Sequence, residues 1–243
     1  MIGTARVVRV FGRAEPARFV VAGSSRPARF EGGRRKILAG SVSAALVLAT
    51  AMPAAAHHVG AYVPKDNAVT TNFKQVKFSV QAKKFDVALQ LFEVGALRAE
   101  MRAHAATLPP ALEEGMRAAL KASDGVEVER RLMVFFAALA RDLAREADRH
   151  LADAPAEARA ATGRKFLEAI WRYYNLVDFA VSVRDNKTSV AVRLAFDEAE
   201  TYVKPTAVAA PIDPSQLRQP FQRIADVLST LVEASSTQAR RDS

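Results

Sequence analysis

Residues 124–151 read DGVEVERRLMVFFAALARDLAREADRHL, and the fold class follows from how this stretch is read. Asp124 stands where a side-chain oxygen can accept from the free N–H groups of a first helical turn. Glu127 follows three residues later, the spacing of a capping box. Leu132, Phe136, Leu139 and Leu143 then recur at intervals of four, three and four, which sets them along one face of a helix. Ala, Leu, Glu and Arg, all good helix formers, dominate the stretch. It predicts a capped amphipathic helix with one face to bury.

Outward from this helix, prolines divide the chain. From residue 57 onward they fall at 64, 109, 110, 155, 205, 211, 214 and 220, leaving proline-free blocks at 65–108, 111–154 and 156–204 that hold only Gly95, Gly115, Gly125 and Gly163 as glycines. Proline is excluded from helix interiors but suits their starts, so the blocks predict long helices joined at proline-marked turns. One helix is expected over most of 73–106, with Phe85, Leu89, Phe92 and Ala96 along a side, and a shorter one over 110–122. A third should start near Pro155 and run through Phe166, Ile170, Tyr173 and Tyr174 to Val177. Beyond a proline-rich strap, Asp213-Pro214-Ser215 opens a last helix with Phe221, Ile224, Leu228 and Leu231 on one side.

Two segments alternate with period two, as strands do: Val76-Lys77-Phe78-Ser79-Val80, and the valines of 181–192. For 179–196 a helix is the preferred reading, and a β-hairpin turning at Asp185-Asn186-Lys187 is the alternative. The expected fold is therefore all-α, an antiparallel bundle of four to five helices, with one short hairpin held open. Residues 57–72 are read as an extended lead-in, 73–204 as the bundle, 205–234 as strap and C-terminal helix, and 235–243 as a disordered tail.

Ahead of the bundle, Arg34-Arg35-Lys36, the uncharged run Ile37 to Met52, Pro53 and Ala54-Ala55-Ala56 have the order of a cleavable signal peptide. The apolar run falls short of the roughly 20 residues that span a membrane, so removal is expected rather than anchoring. Residues 1–56 then form an extended positive region and signal. Cleavage after Ala56 leaves a periplasmic chain that begins at His57 and has no stable transmembrane segment. Arg34-Arg35 followed by Ile37-Leu38 also fits a relaxed twin-arginine pattern, but Gly33 stands where Ser or Thr is usual, so general secretion is the preferred route.

Locating the charges changes their meaning. The chain has 35 Lys and Arg against 26 Asp and Glu, but nine of the basic residues and only two of the acidic ones lie before His57. From His57 onward 26 basic residues face 24 acidic ones, without the concentrated cationic surplus that nucleic-acid binding requires. The chain has no cysteine, which excludes disulfides, thiolate metal sites and covalently attached c-type haem.

No hydrolase elbow, zinc-protease helix, phosphate loop or dinucleotide fingerprint occurs, and no catalytic residue is assigned. Three constellations are candidates for binding. His57 and His58 would follow the cleavage point, where an amine and imidazole together chelate copper. Glu100 with His104, and Glu146 with His150, each share a helix face at a spacing of four, and could bring iron into the bundle. Carboxylate-bridged iron bundles, however, use a Glu–His spacing of three. Trp171, Tyr174, Asn175 and Asp178, with Tyr173 and Phe179 and together with Phe135 and Phe136 from the preceding helix, could line a ligand pocket, although aromatics at helical spacing more often pack a core. The expected function is a non-catalytic binding or accessory role in the periplasm, toward a small ligand or a periplasmic or membrane protein. The alternative is copper or iron handling allied to metal transport.

Overall fold

The computed structural model describes residues 65–204 and 213–241. Among them the chain forms nine helices: α1 (Ala68–Gln81), α2 (Phe85–Val94), α3 (Ala96–Ala103), α4 (Leu112–Lys121), α5 (Gly125–Asp153), α6 (Ala156–Tyr174), α7 (Asp178–Arg184), α8 (Asn186–Val203) and α9 (Pro214–Arg241). No strand occurs among the described residues, so the all-α expectation holds and the hairpin alternative is corrected. The expected leader at 1–56, His57, His58 and the strap residues 205–212 lie outside the described residues.

Helix α5 starts as its sequence predicts. The Asp124 carboxylate accepts from the Glu127 N–H at 3.0 Å. Only half of the capping box forms. The Glu127 carboxylate turns to Arg130 and Arg131, while the Asp124 N–H donates to the Ala119 carbonyl. The expected single apolar stripe is also too narrow, because Leu132 through Ala140 are all buried. A helix enclosed on every side needs small residues where its neighbours come closest. Ala137, Ala138, Ala140, Ala144 and Ala147 supply them.

Two long partners flank α5. Arg130 donates to the Ser235 carbonyl near one end, and Arg218 and Gln222 reach Asp148 near the other, so α9 runs antiparallel to α5. Leu217, Phe221, Ile224, Leu228 and Leu231 are buried along α9, as their spacing predicts. Its helix continues to Arg241, through residues expected to be a disordered tail. Helix α6 is antiparallel too: Tyr173 meets Phe136 at 5.9 Å, and Phe166 meets His150 at 5.5 Å. A side chain at Gly163 would come within 2.9 Å of Val203 and 3.4 Å of Leu217, so the glycine lets α8 and α9 close onto α6.

The expected long helix over 73–106 is three helices, each break having a cause. After α1, Lys83 adopts a left-handed φ of 60°, and the N–H of Lys84 bonds back to the Ser79 carbonyl. After α2, a Cβ on Gly95 would lie 2.1 Å from Asn72 Oδ1 and 2.3 Å from the Leu91 carbonyl. Buried Asn72 fills that space, donating to the Leu91 carbonyl at 3.1 Å and accepting from the Leu97 N–H at 3.0 Å. One amide thus satisfies a free acceptor at the end of α2 and a free donor at the start of α3.

Helix α1 begins at Ala68, inside the expected lead-in, because Asn67 and Thr70 cap each other reciprocally at 2.9 Å. The alternation at Val76–Val80 yields to helical period: Phe73, Val76 and Val80 are buried, and Phe78 is exposed. Likewise the polar trio at 185–187 is a helix junction rather than a hairpin turn. Asp185 caps α8 by accepting from the N–H and hydroxyl of Thr188 at 3.1 and 2.6 Å. No helix among the described residues is long and apolar enough to cross a membrane.

Candidate ligand groove

Three helices each lay one stripe along a common groove. From α1 come Phe73, Lys77 and Gln81, at intervals of four; from α5 come Glu129 and Leu132; and from the chain around α7 come Leu176, Val177, Phe179, Ala180, Val183 and Arg184. Spacings of three and four place each set on one helix face, so the lining is a product of local periodicity. The groove has a volume of about 260 Å³. Phe73, Leu132 and Val177 are buried and form its floor. Phe179 and Val183 stand out from the α7 side, 79% and 69% exposed.

Single exposed apolar side chains are ordinary, as at Val94 and Val126, but Phe179 and Val183 lie together beside an apolar floor and so form a patch. Helix α7 does turn its other face inward, where Val181 is buried and Asp178 is held. The Asp178 carboxylate accepts from the Ser189 hydroxyl at 3.0 Å and from Arg193 Nε at 3.2 Å, and pairs with the same guanidinium through Nη2. A buried carboxylate needs this full set of donors to offset its lost hydration. The pair pins α7 against α8 and thereby fixes which way Phe179 and Val183 point.

The sequence-predicted pocket residues fall elsewhere. Trp171 packs on Phe196 at 5.1 Å and on Tyr174 at 6.2 Å, inside the protein. The Tyr174 hydroxyl is fully buried beside Ser189 and Asp178, and among the described residues neither lies in good hydrogen-bond geometry to it. Burial, with the Asp178 carboxylate nearby, keeps it protonated far above the usual tyrosine range. Asn175 is exposed. None of Trp171, Tyr174, Asn175 or Asp178 lines the groove. Phe179, grouped with them by sequence, does, while Phe135 and Phe136 pack edge-to-face at 5.0 Å in the core. Lys77, Glu129, Val183 and Arg184 were not singled out from the sequence as binding residues. Their only signal was helical spacing, which marks a core face equally well.

The two glutamate–histidine pairs form as expected and stay apart. His104 Nε2 lies 3.4 Å from Glu100, and His150 Nε2 lies 3.5 Å from Glu146, both at partly exposed sites. His150 also stacks on Phe166. Among the described residues no group of three or more His, Cys, Asp or Glu side chains gathers into a metal-holding cluster. Comparison with known proteins finds no matching family model, no matching curated protein and no matching solved structure.

Proposed function

We propose that the chain is an exported periplasmic binding protein, an antiparallel helical bundle that receives a small apolar or amphipathic ligand in the α1–α5–α7 groove. One observation carries this reading: α7, pinned on its inner face through Asp178, holds Phe179 and Val183 outward over an apolar floor. Concave, mostly apolar sites with a few polar groups are the usual seats of small ligands. The antiparallel runs of α6 and α9 along α5 support the bundle. The order of charge, apolar run and alanines at 34–56 supports export.

The ligand reading is tested with Nile red, a neutral apolar dye, titrated into protein purified from cells expressing the full chain. Saturable fluorescence enhancement is expected, and it should weaken several-fold in Phe179→Ser with Val183→Ser. Enhancement that the double variant leaves intact would remove the groove as the seat. Export is tested by fractionating those cells and sequencing the N-terminus, with His57 expected first in a periplasmic fraction.

A second reading, copper handling, is favoured by the His57-His58 pair directly behind the expected cut. It predicts copper(II) binding that disappears when one residue is added before His57.

A further inference from the structure

The groove has a charged rim as well as an apolar floor. Lys77 approaches from α1, its ammonium 5.7 Å from the Phe73 ring centre, and Arg184 approaches from the end of α7. Glu129 is the one acid in the lining. Lys77, Arg184 and Glu129 make no ion pair among the described residues. Lys74, on the same helix as Lys77, pairs with Asp66 at 2.7 Å; Arg193 is taken by Asp178, and Arg131 by Glu127. The lining thus carries two cations without ion pairs, from two different helices, against a single acid, all next to apolar walls.

We propose, building on the ligand reading above, that the groove takes a single-chain amphiphile with an anionic head, a carboxylate being the simplest case. Its chain lies along Phe73, Leu132, Phe179 and Val183, and its head meets Lys77 and Arg184. The volume of about 260 Å³ is just below the usual small-ligand range of about 300–1,000 Å³, which suits one short chain. Each further methylene that is buried raises affinity about fourfold until the groove is full. The two cations together add a preference of only about fivefold at low salt, little more than one methylene, because exposed charges are strongly screened.

Protein purified from cells expressing the full chain is titrated calorimetrically with decanoate, decanol and decylamine. Decanoate should bind about fivefold more tightly than decanol and more tightly still than decylamine, with the gap narrowing as salt rises. Lys77→Met and Arg184→Met should each lower the ratio of decanoate to decanol affinity, a selective effect that a loss of folding, which would weaken both ligands alike, cannot produce. Equal affinity for the three heads would overturn the anionic-head assignment and leave the groove as an apolar seat. Binding of none of them would overturn the assignment and the ligand reading together. Tighter binding of decylamine would assign the head site to Glu129 instead and overturn the proposal.

Discussion

Helices α5 and α7 carry the same kinds of apolar residue and place them in opposite settings. Along α5, nine consecutive residues from Leu132 to Ala140 are buried, and Phe136 is wedged among Phe73, Phe135 and Tyr173. On α7, seven residues long, Val181 is buried but Phe179 and Val183 face outward. Residue type therefore does not separate a buried helix from one with an open apolar face in this protein. What separates them is whether a helix is enclosed by neighbours or held by one polar anchor with its other face left open.

The largest test of the contrast is Phe136→Ala. It should cost about 3–5 kcal/mol in urea unfolding, through lost burial and the cavity left behind. A loss below about 1 kcal/mol would mean that the centre of α5 is not close-packed. Next comes Asp178→Ala, which leaves Arg193 without its carboxylate. Because that arginine is 43% exposed, water compensates in part, and the cost should be about 2 kcal/mol. The same variant should weaken Nile red binding, since α7 loses its anchor. Adding Arg193→Met to it should cost little more, because the two residues act as one unit. The smallest effect on stability belongs to Phe179→Ser, within about 0.5 kcal/mol as for other surface changes. If it destabilised the protein as much as Phe136→Ala, α7 would belong to the core and the contrast would collapse.

Where local chemistry decides the outcome, the sequence was sufficient. The Asp124 cap, the start of α6 behind Pro155 and the buried stripe of α9 all depend on residues within a turn or two of one another. Legibility failed where a distant residue decides. The break at Gly95 depends on Asn72, which lies in another helix and fills the space a side chain would need. For 179–196 the preferred helix forms despite the strand-like valines, because Asp185 caps α8 locally and Val192, Ala195, Phe196 and Ala199 bury at helical spacing. The groove was the least legible feature. Helical spacing shows that Leu176, Phe179, Ala180 and Val183 share a face, but not whether another element covers it. Trp171 and Tyr174, which lie in the core, give the same pattern.

The central claim is that the open face of α7, with the facing stripe of α1, is the binding surface. Amide hydrogen exchange with and without saturating Nile red tests it most directly. Slower exchange confined to peptides spanning 73–81, 129–132 and 176–184, with 85–121 unchanged, is the predicted result. Protection at 85–121, or dye binding that leaves 176–184 unaltered, would contradict it.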